Sequence, residues 1–194
     1  MAEPDRRKRD AFAREALPHM DHVYTAGLYL TRNQDEAQEL LQETFLRAYR
    51  FWHQFSSGTN CRAWLMTILH NTFKNRYRER YREQQRVDFD ETIGEANRTV
   101  NPDARPANPE DVVLAQFLDS EVEEALKSLP VEFLEVIVLV DIQELTYEEA
   151  AATIGCPIGT IRSRLSRGRR LLQAALWHYA KDHGYGRRGS YALR

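Results

Sequence analysis

The sequence predicts an all-α protein made of two small helical domains joined by a flexible acidic linker, the second domain containing a helix-turn-helix. Three observations carry this expectation. Apolar residues recur at spacings of three and four in both halves of the chain. Three prolines, Pro102, Pro106 and Pro109, crowd its middle, where they disfavour helix and make a poor core. Charge is also segregated. Residues 61–86 hold seven basic residues against two acidic ones, residues 87–126 eleven acidic against two basic, and residues 158–173 five arginines and no acid. The whole chain has 194 residues, with 29 acidic against 27 basic, so the basic blocks are local features. The expected division is a first domain over 1–86, a linker over 87–109, a second domain over 110–180 and a tail over 181–194.

Taken in order, residues 35–52 form the first strong helical pattern. Ala37, Leu41, Phe45, Ala48 and Trp52 share one face, and Glu36, Glu39, Gln42, Glu43 and Arg47 lie opposite. Phe55-Ser56-Ser57-Gly58-Thr59-Asn60 reads as a loop. Helix resumes from Ala63 to about Arg82, first apolar (Trp64, Leu65, Ile68, Leu69), then basic and aromatic. There Asn71, Phe73, Lys74, Asn75, Tyr77 and Arg78 interleave amides, cations and rings. Rings stack on bases and amides bond their edges, so this mixture suits single-stranded or melting DNA. The plain alternative is a basic surface over a core that takes Trp64 and Phe73. After the linker, Val122, Leu126 and Leu129 lead to Pro130, and the apolar run 133–140 reads as helix because nothing around it alternates.

The sharpest pattern starts at Leu145. Thr146 and Glu149 are spaced as a capping box, and Ala150, Ala151 and Ala152 let a second helix approach closely. Gly155 is placed to end that helix in the left-handed conformation, and Pro157 to open the next. On the second helix Ile158, Ile161, Leu165 and Leu172 form an apolar stripe. Arg162, Ser163, Arg167 and Arg170 lie away from it, and Arg164 and Arg169 flank it. Helix, short turn and basic second helix, in that order, is the pattern of a DNA-reading helix-turn-helix. A solvated arginine face is the plain alternative, but no acid lies at i±4 to relieve the repulsion among these arginines.

Other classes find little support. The six histidines show no metal-ligand spacing, and no glycine-rich phosphate loop follows a strand, so neither a cofactor nor a metal site is expected. Cys61 and Cys156 give no disulfide framework and fit a reducing cytoplasm. No apolar run is long enough to span a bilayer, and the first residues lack the apolar stretch of a signal peptide, so a cytoplasmic protein without membrane contact of its own is expected.

Together these segments resemble the extracytoplasmic-function (group IV) sigma factors of bacterial RNA polymerase. The resemblance runs from about Phe12 to Ala174. In the first half it rests on Asp35-Glu36-Ala37-Gln38-Glu39-Leu40-Leu41-Gln42-Glu43-Thr44-Phe45-Leu46-Arg47-Ala48-Tyr49, Ala63-Trp64-Leu65 and Ile68-Leu69-His70-Asn71. In the second it rests on Leu129-Pro130, on Leu145-Thr146-Tyr147-Glu148-Glu149-Ala150-Ala151 and on the segment from Pro157 to Arg169. It implies promoter-specific initiation without enzymatic chemistry. The implied partners are core RNA polymerase (β′ clamp helices and β flap), promoter DNA and an anti-sigma factor. It further implies that Glu39, Gln42, Glu43 and Arg47 dock on the clamp helices and that the loop from Ser56 to Asn60 captures a flipped base of the minus-ten element. Asn71, Lys74, Asn75 and Arg78 would read and melt that element, while Thr160, Arg162, Ser163, Arg164, Arg167 and Arg170 would contact the minus-thirty-five element. Asn75 stands where an aspartate is common, which implies a departure from the usual minus-ten preference. The Asn71-Thr72-Phe73 segment resembles the subgroup held by thiol-responsive zinc anti-sigma factors. Gly168 replaces a common alanine and should soften its helix by about 1 kcal/mol. The rival reading is a helix-turn-helix regulator that acts as a dimer without polymerase. A pure protein-interaction module, with incidental arginines, is a third.

Overall fold

The computed structural model describes residues 3–90 and 120–183. The three linker prolines and the tail from 184 onward lie outside the described residues. Among these, every regular element is helical. The first half comprises α1 (Glu3–Glu15), a 3₁₀ turn (Leu17–His19), α2 (Met20–Thr31), α3 (Gln34–Arg50), a second 3₁₀ turn (Trp52–Gln54) and α4 (Cys61–Asp90). Helix α4 therefore continues past residue 87, where the linker was expected to begin. The second half comprises α5 (Ser120–Lys127), α6 (Val131–Ile137), a π-helical turn (Val138–Ile142), α7 (Tyr147–Ile154), α8 (Ile158–Ala175) and α9 (Trp177–Asp182).

Local chemistry sets the boundaries. Asn33 caps α3, its side-chain oxygen accepting from Glu36 N at 3.0 Å, and Asp35 and Glu36 place negative charge on the positive end of the helix dipole. The α3 residues Ala37, Leu40, Thr44 and Ala48 are buried. This stripe is rotated from the predicted one: Leu41 and Phe45 are only half-buried and Trp52 falls in the 3₁₀ turn. Both α2 and α4 pack on α3, so its buried strip is set by two neighbours. Phe45 and Trp52 turn instead toward Phe12 of α1, with ring centroids 6.2 and 5.2 Å away, both edge-on. Such pairs add about 0.5–1.5 kcal/mol each beyond their burial.

In the second half, the run predicted as one helix splits into α6 and the π turn, closed by Gln143 N donating to Val138 O at 2.9 Å. Val136, Ile137, Val138 and Leu139 are buried in succession. A segment covered on all sides has no amphipathic period to display. The capping box of Thr146 and Glu149 is formed, and Gly155 has φ +74. Ile161 and Leu165 are buried along the predicted stripe, with Ile158 and Leu172 half-buried. Of the three alanines, Ala150 and Ala151 are buried and Ala152 is exposed, because α7 packs on α4 as well as on α8.

The two halves share one continuous apolar core. Met66 and Leu69 of α4 meet Val138 and Leu139 around a cavity of about 10 Å³ that His70 and Glu135 also line. Four polar contacts rim this seam. Asn60 Nδ2 donates to Glu149 Oε1 at 2.8 Å, and Thr67 Oγ1 lies 3.1 Å from Thr153 Oγ1. His22 Nδ1 lies 3.1 Å from Gln143 Oε1, and Arg32 Nη2 donates to Leu129 O at 2.8 Å. His70 Nδ1 is 3.8 Å from Glu135 Oε1, too far for a hydrogen bond. Burial and the neighbouring Lys74 ammonium lower the His70 imidazole to about 4. At neutral pH this is a neutral ring beside a carboxyl group, not an ion pair. Burial raises the Glu135 carboxyl, with Arg164 and Lys74 opposing.

Two predictions follow from the packing. A methyl group at Gly168 would meet Ile137 Cδ1 at 2.8 Å and Phe133 Cβ at 3.2 Å. Helix propensity favours alanine by about 1 kcal/mol, but overpacking costs about 1–3 kcal/mol. Gly168→Ala should therefore lower the urea midpoint despite the better helix former; a raised midpoint would show that α6 yields. For His70, the unfolded chain takes up a proton near pH 6.5 and the folded chain only near 4. Stability should fall as pH drops through that window, by at most about 3 kcal/mol at 1.36 kcal/mol per unit. The raised Glu135 acts in the opposite sense and reduces the loss. His70→Gln should flatten this acid limb in chemical denaturation, and an NMR titration should find the wild-type ring neutral at pH 5.5.

Candidate nucleic-acid interface

Three surfaces gather the residues singled out in the sequence. The first is α4. Asn71, Lys74, Asn75 and Arg78 are exposed and recur at helical spacing along one stripe, with Tyr77 beside them at 59% exposure. Phe73 is half-buried and Thr72 buried. The core therefore holds one side of the helix while the amide-and-cation stripe stays open to solvent.

The second surface is the loop leading into α4. Phe55 stacks on Trp52 at 4.8 Å and lies 5.3 Å from Trp64, which pins the loop entry. Gly58 at its tip has φ +88, a conformation side chains disfavour. Ser56, Ser57, Gly58 and Thr59 are exposed. Asn60 ends the loop as the cap of α4, its Oδ1 accepting from Ala63 N at 3.2 Å. Its amide donor is engaged by Glu149 of α7, so both ends of Asn60 are occupied.

The third surface is α8. Arg162, Arg167 and Arg170 are exposed, and among the described residues no acid lies within ion-pairing distance of them. Arg162 Cζ sits 5.9 Å from the Tyr147 ring centre, at the outer reach of a cation–π contact. Ser163 donates to Thr160 O at 3.0 Å, and Thr160 is half-buried. Arg164 is half-buried and its charge acts on Glu135, toward the seam. Arg169, which sequence spacing left unpaired, makes a two-pronged salt bridge with Asp141, its Nε donating to Oδ2 at 3.0 Å. That acid is distant in sequence, beyond the reach of an i±4 rule. The exposed, unpaired cations of α8 are thus Arg162, Arg167 and Arg170.

The acidic face of α3 is tied to α4. Arg76 donates from Nε to Glu43 Oε2 at 2.8 Å and from Nη1 to Glu39 Oε2 at 3.1 Å. Arg47 donates to Glu43 Oε1 at 2.6 Å. Burial opposes ionisation of Glu43, but the bonds from Arg76 and Arg47 prevail and hold its carboxyl below the ordinary range. Gln42 and Glu39 are exposed, and Leu46 stands 72% exposed one turn beyond Gln42. Sequence reasoning missed Leu46 and Arg76: an exposed leucine looks like a core residue, and Arg76 looked like one more cation of a basic run.

Among the described residues there is no cluster of three metal-binding side chains, and no helix is long and apolar enough to cross a membrane. Burial, with the Glu15 carboxylate, pushes the Cys61 thiol up to about 11, which makes it a poor nucleophile.

This order of surfaces has counterparts. The family description Sigma-70 region 2 matches residues 17–83, and Sigma-70, region 4 matches residues 119–172. The chain is 35% identical to the ECF RNA polymerase sigma factor EcfG of Rhodopseudomonas palustris, over 90% of this chain and 91% of the relative. It belongs to the ECF RNA polymerase sigma factors. It is also 36% identical to the ECF RNA polymerase sigma factor SigE of Mycolicibacterium smegmatis over 84% of its own length, spanning 61% of that longer relative. Among solved structures, the sigma factor RpoE in complex with the anti-sigma factor NepR from Bartonella quintana is similar with a TM-score of 0.68 and 33% identity, over 86% of this chain and 97% of that one. CnrH, solved with the cytosolic domain of CnrY, shares the fold with a TM-score of 0.60 and 24% identity, over 88% of this chain and 90% of that one. None of these relatives is named for thiol control. The exposed stripe of α4 and the loop before it lie in the region 2 match, and α8 lies in region 4.

The ion-pair geometry separates two residues of the α3 face. Glu43 is 30% exposed with two arginine partners, whereas Glu39 is 67% exposed with one. Glu43→Ala should cost about 1.5–3 kcal/mol, the range of hydrogen bonds to charged groups. Glu39→Ala should cost less than about 1 kcal/mol. Equal thermal shifts for the two variants would show that the second arginine partner and the deeper burial of Glu43 add nothing.

Proposed function

We propose that this ECF sigma factor binds core RNA polymerase and directs initiation at promoters whose minus-ten and minus-thirty-five elements it reads. The supporting observation is the unpaired trio Arg162, Arg167 and Arg170 on the second helix of a helix-turn-helix, in a nearly charge-balanced chain. Phosphates would supply the counter-charge that the protein leaves out. The α4 stripe of Asn71, Lys74, Asn75 and Arg78, with the loop from Ser56, would take the melted minus-ten strand. Ser163 and Thr160 would join Arg162 at base edges, and the half-buried Arg164 would join them from the edge of the stripe. Glu39, Gln42, Glu43 and Arg47 would dock on the β′ clamp helices, with Leu46 as an apolar centre, and the second domain on the β flap. The protein would act in the cytoplasm, without chemistry of its own.

The similar RpoE chain was solved in complex with an anti-sigma factor. We assign the same kind of partner here. Such a factor should co-purify at equal stoichiometry from uninduced cells and be absent from the polymerase-bound fraction. The activity itself is tested by run-off transcription with core polymerase on a pool of candidate promoters. No template-selective transcript would remove the proposal.

The arginines divide into readers and anchors. Arg162 lies near the start of α8, the part of a recognition helix that meets base edges. Arg162→Ala should cost about 1–3 kcal/mol on the correct promoter and relax preference at one upstream position. Arg170→Ala should weaken all sequences alike and flatten the salt dependence by about one unit of slope. Both variants should stay folded, since Ile161 and Leu165 are untouched. Holoenzyme binding to promoters with and without an intact minus-thirty-five element, at several salt concentrations, distinguishes the two roles.

A further inference from the structure

The helix proposed to read DNA carries one arginine that the protein itself neutralises. Arg169 donates from Nε to Asp141 Oδ2 at 3.0 Å and from Nη2 to Asp141 Oδ1 at 2.5 Å, a two-pronged grip on one carboxylate. Asp141 belongs to the π turn and Tyr147 opens α7, so two separate elements face α8 here. Seven positions, about two helical turns, separate Arg162 from Arg169, which puts both arginines on one strip of α8. The Tyr147 ring centre lies 5.9 Å from Arg162 Cζ. The bonds to Asp141, and after them the Tyr147 hydroxyl, stabilise the charged form of Arg169. At Gly168 the missing side chain lets α8 lie against Ile137, the residue just before the π turn, and this close approach brings Arg169 to Asp141.

This pair is poorly placed to serve stability alone. The Arg169 side chain is 53% exposed and that of Asp141 32%, and ion pairs so open to solvent add little to a fold. Its effect on the charge of α8 is larger. The helix has five arginines. Arg164 is half-buried with its charge acting on Glu135, and Arg169 is bound to Asp141, which leaves Arg162, Arg167 and Arg170 open. Each cation that meets a phosphate strengthens binding to every sequence and steepens the salt dependence by about 0.9. Phosphate contacts also set how a protein sits on the duplex, whereas base contacts set which sequence it prefers. A free Arg169, two turns along the strip from Arg162, would pull α8 toward the backbone at a place where Arg162 needs it seated for base edges.

We propose that Asp141 is a specificity-determining positioning residue: it holds Arg169 off the DNA and, with Tyr147, fixes the strip of α8 that presents Arg162 to base edges. This rests on the promoter-reading function proposed above. Asp141 touches no DNA and acts only through the arginine it binds. Its presence beside a helix that needs positive charge then has a reason. The helix gives up one phosphate contact and gains a fixed orientation in the groove.

The test uses holoenzyme, assembled from core polymerase and the full chain, on a promoter recovered from the run-off pool. Binding is measured with the minus-thirty-five element intact or scrambled, at several salt concentrations. Asp141→Asn keeps the shape of the side chain and removes its charge. It should bind the scrambled promoter at least threefold more tightly than wild type and steepen the salt dependence by about 0.9. Its preference for the intact element should fall at least threefold, and Asp141→Glu should restore that preference. Adding Arg169→Gln to Asp141→Asn should abolish the gained slope. Slope and preference equal to wild type would overturn the inference and leave promoter reading standing. Weaker binding to both promoters, the mark of a merely structural pair, would overturn it too, as would a gained slope that survives Arg169→Gln. A wild type that does not distinguish the two promoters overturns both proposals. Should Asp141→Asn fold poorly, Arg169→Gln alone decides: its slope should equal that of wild type, and a loss of about one unit would show that Arg169 already grips a phosphate.

Discussion

One shared face of α4 governs the rest of this protein. Leu65, Met66 and Leu69 are buried on it, and the seam residues of the second half cover part of that burial. A helix has only one circumference to divide. With the apolar strip taken by the core and Arg76 drawn to Glu39 and Glu43, the remaining strip of Asn71, Lys74, Asn75 and Arg78 is left to solvent. What a partner can touch on α4 is thus decided by what the core does not claim.

Charge follows the same logic of assignment. The protein owns nearly as many bases as acids, yet it distributes partners selectively. Arg76 and Arg169 receive carboxylates from other helices and become structural. Arg162, Arg167 and Arg170 receive none among the described residues. An exposed ion pair contributes little stability, so leaving these three unpaired costs the fold little and preserves their charge for a phosphate.

The acid Glu149 joins these two themes. As part of the capping box it stabilises the start of α7, a purely local duty. Across the seam it occupies the amide of Asn60. One carboxylate therefore links the formation of the helix-turn-helix to the availability of the loop before α4. His70 and Glu135 sit deeper in the same seam, where burial shifts both titrations toward their neutral forms.

Short-range chemistry was legible in the sequence. The capping box at Thr146 and Glu149, the left-handed Gly155, the loop around Gly58 and the apolar stripe through Ile161 and Leu165 all depend on residues within a few positions of one another. Local spacing is what a sequence displays. The π turn at Val138–Ile142 was not legible, because an all-buried segment has no period. Nor were the pairing of Arg169 with Asp141, the pinching of Gly168 against Phe133 and Ile137, or the exposure of Leu46. Sequence alone determined two helical units with their basic surfaces and their order along the chain. Tertiary structure decided which cations stay unpaired, which glycine packs tightly against a neighbouring helix and which loop residue is already occupied. Each of these depends on atoms brought together from distant positions, and only the packed core brings them together.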